Sequence, residues 1–279
     1  MTAYKLLVTD LDGTLLDPNG RVHGEDARAI AALRERGVGV SICTGRMYSG
    51  TRHIARQLAL AEPIACVDGS HIVDAGDDRA LVTRTIHAGA GAALLRLLEE
   101  ARAATFVFAG DQVFHDRAGT RFVSYVSLWS EQVVELGDVH DPAHFDRQGM
   151  CALVSLGSED GIRDAERAIA SAHGGELQTT SFKLRRAGFS STWGMVVRAF
   201  GVTKGTAIEW MAARRGITVS EVVAVGDWLN DIPMLRAAGR SFAMKQAPDE
   251  VRAAATDLLD ADTWRGGGIA EAARRSGLL

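Results

Sequence analysis

Short apolar runs, each ending in a polar or acidic cluster and each followed by helical spacing, open this sequence, and the same alternation returns near its end. Strand-like Lys5 to Thr9 runs into Asp10-Leu11-Asp12-Gly13-Thr14. Glu25 to Arg36 then carries Ala29, Ile30 and Leu33 at helical spacing, with Gly37 where a C-cap is expected. Val38 to Cys43 ends at Thr44-Gly45-Arg46, and a further helical stretch leads to the apolar run Ile64 to Val67. The pattern resumes with a strand at Trp193 to Val197 and a helix from Thr203 to Arg215. Strand Val222 to Val225, the loop Gly226-Asp227-Trp228-Leu229-Asn230-Asp231 and a helix to Ala237 follow. Such alternation predicts an α/β fold, a parallel sheet covered by helices on both faces.

The middle of the chain reads differently. Ala90 to Ala103 places Leu94, Leu95, Leu97 and Leu98 at helical spacing, and short strands are expected at Thr105 to Ala109 and Val113 to His115. A strand, helix, strand set runs through Cys151 to Leu156, Glu159 to His173 and Glu176 to Thr180, while Phe122 to Leu136 reads as helix. Strands joined by tight turns with helices on one side predict an α+β unit. The expected organisation is one α/β core, residues 1–82 and 188–279, with an α+β domain, residues 83–187, inserted in it.

Composition agrees and narrows the partners. At ~150 residues per domain, 279 residues suit two domains. With 47% hydrophobic and 24% charged residues, the chain has material for a packed core and is not a disordered one. No apolar run approaches the ~18 residues of a membrane span. The start, Met1-Thr2-Ala3-Tyr4-Lys5, has no basic segment, long apolar segment or cleavage site, so no secretory signal is expected. Cys43, Cys66 and Cys151 lie in apolar runs, the usage of buried free thiols in a reducing compartment, and the expected location is the cytoplasm. A net charge of −4 argues against a nucleic-acid partner, and the middle segment, with 11 basic and 14 acidic residues over 83–187, is not a basic module.

Four clusters at the expected strand ends carry chemistry, since ligands of open α/β sheets bind there. Asp10 and Asp12, two residues apart, suit one group to attack and the other to move a proton, and together they suit a hard cation such as Mg²⁺; the bland alternative is a polar Asp-Gly turn. Thr44-Gly45 offers a hydroxyl and backbone N–H groups for a phosphate, or simply an N-cap. Lys204 stands at a helix start, where a cation is unfavourable without an anionic partner, although a solvated lysine is the plainer reading. Asp227 and Asp231, four apart, fall on one face of a helical turn and point toward a common ion, while Asn230 or Asp231 also suits a helix cap.

The four clusters occur in order, and in that order the sequence resembles the haloacid dehalogenase superfamily, more narrowly its Cof-type phosphatases with a large α+β cap. The resemblance covers the whole chain, including Gly266-Gly267-Gly268-Ile269 near the end. It implies a Rossmann-like core and a Mg²⁺-dependent phosphatase acting on a small phosphorylated metabolite, a sugar phosphate, nucleotide or cofactor, through an aspartyl-phosphate. Asp10 would be the nucleophile, and Asp12 the acid that protonates the leaving oxygen and then activates water. Thr44, Gly45, Lys204 and Asn230 would hold the phosphoryl group. Asp10, Asp12, Asp227 and Asp231 would form the metal site, with Asn230 and Asp231 also supporting that shell or positioning Lys204. The cap would close over the core and exclude water. Dehalogenases of the superfamily lack the second acid, and its ATPases resemble Asp-Lys-Thr-Gly-Thr and carry membrane spans, so ester hydrolysis is the branch implied. A phosphotransferase or phosphomutase using the same aspartate, or a non-catalytic phosphometabolite-binding protein, are the alternatives. The sequence departs from the Cof-type pattern at Asp68-Gly69-Ser70, where Asn-Gly is usual, and at Trp193 to Val197, which lacks an expected acid.

Other features are read as structural. His140 and His144 among Asp138, Asp141 and Asp146 look like a metal cluster, but Pro142 disrupts helical pairing and a polar cap loop is expected. Gly89-Ala90-Gly91 is a helix start rather than a dinucleotide fingerprint, because Leu94 stands in place of the third glycine. Lys183, Arg185 and Arg186 are read as solvated, and Phe106, Phe108, Phe122, Tyr125 and Trp129 as core of the inserted domain.

Overall fold

Every residue of β1 (Leu6–Thr9) is buried, as is every residue of β2 (Gly39–Ile42), which lies parallel beside it. Covered on both faces, the strands bury even their polar side chains, and the Thr9 and Ser41 hydroxyls donate to the Asp10 and Pro63 carbonyls. The computed structural model describes residues 4–184 and 188–279. Between these strands runs α1 (Gly24–Glu35), and α2 (Arg52–Gln57) follows β2. β3 (Ile64–Cys66) meets the end of β2 only through one parallel bridge, Cys43 to Ala65, and turns back through Val67–Gly69 into β4 (His71–Val73). With β5 (Ala80–Thr83) these strands form a separate three-stranded sheet, so the third expected strand leaves the parallel sheet for a hairpin.

The middle segment is a second packing unit. Its elements are α3 (Ala88–Glu100), β6 (Ala104–Ala109), β7 (Gln112–His115), α4 (Val123–Val126), β8 (Val133–Glu135), β9 (Ala152–Gly157), α5 (Glu159–His173), β10 (Leu177–Lys183) and β11 (Trp193–Ala199). The six strands lie in the order β10-β11-β9-β6-β7-β8, antiparallel except for β7 and β8. Leu94, Leu95 and Leu98 of α3 and Ile162, Ala165 and Ile169 of α5 bury themselves with Val107, Leu153, Met195 and Val197 of the sheet. Phe106, Phe108 and Phe122 are buried here as expected, and Trp129 packs on Phe108 and Tyr125.

Two sequence expectations fail in this unit. Phe122 to Leu136 is not one helix: a single α-helical turn, α4, stops where Ser127 bonds back to the Val123 carbonyl, and β8 begins six residues later. Serines at 127 and 130 offer the backbone competing hydrogen bonds, and the β-branched Val133 and Val134 pair with β7 instead. The second failure is β11, expected in the core sheet. It pairs antiparallel with both β10 and β9, and only residues 184–192 separate it from β10, a connection of hairpin length rather than of crossover length. The chain therefore returns to the first unit at Thr203 rather than at 188. That unit comprises residues up to Gly45, Arg52–Val82 and Thr203–Leu279, and the short segment Arg46–Thr51 packs with the second unit. Of the basic trio, Lys183 is exposed, and Arg185 and Arg186 lie outside the described residues.

After the return come α6 (Lys204–Arg215), β12 (Val222–Gly226), α7 (Ile232–Ala237), β13 (Arg240–Ala243), α8 (Asp249–Ala254), β14 (Asp257–Leu258) and α9 (Gly268–Arg275). The parallel sheet has the order β14-β13-β12-β1-β2, so β1 lies between β2, which ends at Ile42, and β12, which ends at Gly226. Leu6, Val8, Val222 and Ala224 from the sheet pack with Ala207, Ile208 and Met211 of α6 and Met234 and Leu235 of α7. The glycine-rich stretch before α9 is tied to α1: buried Asp26 accepts from the Gly267 and Ala270 backbone N–H groups, both at 2.9 Å. Among the described residues no helix is long and apolar enough to cross a membrane.

Candidate active site

Parallel pairing aligns the ends of β1, β2 and β12, and the residues that leave those ends are the expected ones. Asp10 follows β1 and donates its backbone N–H to the Val225 carbonyl at 2.9 Å. Asp227 follows β12, and the Thr14 hydroxyl donates to its Oδ1 at 2.9 Å. Gly13 sits between them with φ of +86°, and a Cβ there would come within 2.5 Å of Asp227 Oδ2. Glycine is required on both counts.

Lys204 is the first residue of α6, whose N-terminus is closed by a capping box between Thr203 and Thr206. Its side chain is fully buried, and Nζ lies 2.5 Å from both Asp10 Oδ1 and Asp231 Oδ1 and 4.0 Å from Asp68 Oδ1. The two helices involved approach closely because residue 205 is glycine: a Cβ there would meet the Pro233 carbonyl oxygen of α7 at 2.8 Å. The solvated-lysine reading is thereby excluded, and the anionic partner that the helix start called for is a pair of carboxylates.

Asp231 does not behave as a simple partner of Asp227. Its Oδ2 turns back to accept the backbone N–H groups of Asp227 and Trp228 at 2.8 and 2.9 Å, and its Oδ1 takes Lys204. It stands at the N-cap position of α7 without making a side-chain cap bond there; its capping contact is the bond to the Trp228 N–H, at the start of the turn Leu229–Asp231 that leads into the helix. Asn230 donates from Nδ2 to Asp68 Oδ1 at 2.8 Å. Thr44 is buried and is not a helix cap: its N–H reaches the Ala65 carbonyl at 2.9 Å, and α2 begins only at Arg52. Gly45 follows it in the first unit, whereas Arg46 belongs to the second, where its Nη1 donates to the Gly50 carbonyl at 3.2 Å. Asp12 is exposed at the same turn that buries Asp10.

Electrostatically, four buried carboxylates, those of Asp10, Asp68, Asp227 and Asp231, lie around one ammonium. Burial disfavours the Lys204 ammonium, but Asp10 and Asp231 outweigh it and hold its pKa above the ordinary lysine value. Burial pushes the Asp10 carboxyl well above the usual range against the pull of Lys204, and Asp231 and Asp227 add to the rise. Burial and the neighbouring Asp231 push Asp227 up to about 7, opposed by the Thr14 hydrogen bond, Lys204 and Gln246. Ligand oxygens of Asp10, Asp227 and Asp231 lie within 4.8 Å of one another. An all-oxygen set with uncompensated negative charge is the donor chemistry of a hard divalent cation, so the residues fit Mg²⁺.

Two residues escaped the sequence reading. Thr14 was visible only as part of the first motif, yet it fixes Asp227; Gln246, which donates to the Gly13 carbonyl at 2.7 Å, carries no local signal at all. A second acidic group, in the other unit, joins Asp116 and Asp138 to His140, at 3.7 and 3.5 Å from Nδ1. Its carboxylates also accept local backbone N–H groups, from Ala118 and His140, as a turn-rich loop requires. His144 is exposed, outside this group.

A parallel sheet ending in an acid-lysine cluster, with a separate and mainly antiparallel unit inserted in the chain, defines an α/β protein with an inserted α+β domain. The chain belongs to the haloacid dehalogenase-like hydrolases, whose family model matches residues 7–272. Its kinship lies with the phosphatases of that family. It is 27% identical over 271 residues to a 5-amino-6-(5-phospho-D-ribitylamino)uracil phosphatase of Bacillus subtilis, covering 97% of this chain and 94% of that one. It is 26% identical to a pyridoxal phosphate phosphatase of Escherichia coli, covering 93% and 94%. Among solved structures, a phosphatase of the same superfamily from Bacteroides thetaiotaomicron superposes with a TM-score of 0.81 at 25% identity, covering 100% of this chain and 97% of that one.

Proposed function

We propose that this hydrolase cleaves the phosphate monoester of a small metabolite by way of a phosphorylated Asp10, in the cytoplasm. The observation that carries the reading is the contact of Asp10 with Lys204 at 2.5 Å inside a buried cluster that also holds Asp227. An aspartate so placed is out of solvent, fixed in orientation and next to a cation that offsets charge as it builds on the phosphoryl oxygens.

In the first step a carboxylate oxygen of Asp10 bonds to phosphorus and the ester P–O bond breaks, while Asp12 gives its proton to the leaving oxygen. The exposure of Asp12 suits a group that must meet both the leaving oxygen and water. In the second step Asp12 takes a proton from water, whose oxygen bonds to phosphorus, and inorganic phosphate leaves with Asp10 restored. Thr44, Gly45, Asn230 and Lys204 bind the phosphoryl oxygens. Asp10, Asp227 and the Asp12 backbone carbonyl would hold Mg²⁺, which would supply further neutralisation of the phosphoryl group. Asp231 is assigned here as the anchor of Lys204 rather than as a metal ligand, because both its oxygens are already engaged. The relatives act on phosphates of a ribitylamino-uracil and of pyridoxal, which supports a phosphorylated small molecule as substrate.

The test is hydrolysis of p-nitrophenyl phosphate with Mg²⁺ by the wild type and by Asp10→Asn. Turnover by the wild type and none by a folded Asp10→Asn variant is expected. Retained activity in that variant would overturn the mechanism.

A further inference from the structure

Asp68 lies in the least favourable stretch of backbone in the first unit. Val67, Asp68 and Gly69 have φ of +49°, +52° and +102°, three consecutive left-handed residues, the first of them β-branched. Such conformations persist only where the surroundings over-determine them, and they cluster at functional sites. Here the surroundings are the phosphate-binding residues themselves. The Asp68 backbone N–H donates to the Thr44 carbonyl at 2.9 Å. Its Oδ1 accepts from Asn230 Nδ2 at 2.8 Å and lies 4.0 Å from Lys204 Nζ. Gly69 packs on the start of α6, where a Cβ would meet Ala207 Cβ at 2.9 Å and the Thr203 carbonyl oxygen at 3.0 Å. One turn thus touches the segments that carry Thr44, Lys204 and Asn230, which come from three separate parts of the chain.

We propose that Asp68 is a positioning residue of the phosphate cradle: its carboxylate, presented by the strained Val67–Gly69 turn, holds the Asn230 amide in the orientation that meets the phosphoryl group. This rests on the proposed function. Lys204 is already matched at 2.5 Å by Asp10 and Asp231 and stands farther from Asp68, at 4.0 Å, whereas Asp68 takes the Asn230 amide at 2.8 Å. An amide in the same place keeps an acceptor, and Asn tolerates the left-handed conformation as Asp does.

The probe is inorganic phosphate, titrated calorimetrically into the Mg²⁺-loaded protein, so the reading does not depend on turnover. Asp68→Ala is expected to weaken phosphate binding about tenfold, the scale of losing an orienting partner, while the Mg²⁺-induced rise in Tm persists. Asp68→Asn is expected to recover most of that loss. Asn230→Ala interrogates the same contact without touching the strained turn, and the double variant Asp68→Ala/Asn230→Ala is expected to bind no more weakly than Asn230→Ala alone. Wild-type affinity in Asp68→Ala, a loss in Asp68→Asn equal to that in Asp68→Ala, or fully additive losses in the double variant each overturn the proposal. A wild type that binds phosphate but hydrolyses no ester overturns the proposed function and leaves the phosphate titration able to decide this one.

Discussion

The ammonium of Lys204 and the carboxylate of Asp231 meet at 2.5 Å with neither side chain reaching solvent. The bond joins the first turn of α6 to the loop after β12, and the other oxygen of Asp231 ties that loop to itself through the Asp227 and Trp228 N–H groups. Breaking one partner of a buried ion pair typically costs ~3–5 kcal/mol, because the survivor is left charged and unpaired. Asp231→Ala leaves Lys204 to Asp10 alone and the Asp227 and Trp228 N–H groups without their acceptor, and it is expected to lose stability toward the lower end of that scale in chemical denaturation and to lose turnover with it.

Asp12 gives the opposite signature. It is exposed, so Asp12→Ala should shift stability by no more than ~0.5 kcal/mol, as surface substitutions do. Turnover should nevertheless fall ~10²–10⁴-fold, the usual contribution of general acid–base help. Parallel measurement of kcat and of the denaturation midpoint separates this residue from Asp231.

Mg²⁺ should raise the Tm of the wild type, as any ligand that binds only the folded form does, and Asp227→Ala should abolish that rise. With burial holding Asp227 at about 7 in the metal-free protein, proton and ion compete for it. The sign is that acid favours the proton, so the thermal shift at a fixed, subsaturating Mg²⁺ concentration should be larger at pH 8 than at pH 6. An unchanged shift across that range counts against Asp227 as a ligand.

At the far edge of the sheet, Asp257 accepts from Arg240 Nε at 2.9 Å and lies 3.1 Å from Arg275 Nη2. The Arg240 hydrogen bond holds the Asp257 carboxyl below its ordinary range, against the smaller effect of burial. A depressed folded-state pKa contributes stability above the unfolded value of ~3.9, and that stability is lost as pH falls through the folded value. Asp257→Asn should therefore be less stable than the wild type by about 1 kcal/mol near pH 7, with the gap closing below about pH 4, as measured by urea denaturation at each pH.

Two helices of the first unit, α1 and α6, and the strand ends are legible because they depend on local periodicity: with β1, β2 and β12 they fall within a residue or two of the apolar patterns that predict them. The failures share one cause. Strand Trp193–Ala199 has no local mark of the sheet it joins; its apolar pattern suits either sheet, and only pairing with β9 and β10 decides. Phe122 to Leu136 has enough apolar residues for a helix, but the cross-chain partners of Trp129, Ser130 and Val133 divide it.

The sequence by itself determined the order of chemical groups along the chain and, through continuous apolar runs, that Asp10, Thr44 and Asp227 would leave the ends of buried strands. Only the tertiary structure decided what each group touches. Asp231 reaches Lys204 and two backbone N–H groups, and Asp68 meets Asn230 across 162 positions of sequence. The physical reason is that strand and helix follow from periods of two and 3.6 residues, whereas a hydrogen bond of 2.8 Å depends on how closely whole elements pack, and that is set by the summed volumes at Gly13, Gly69 and Gly205 rather than by any one residue's neighbours in the chain.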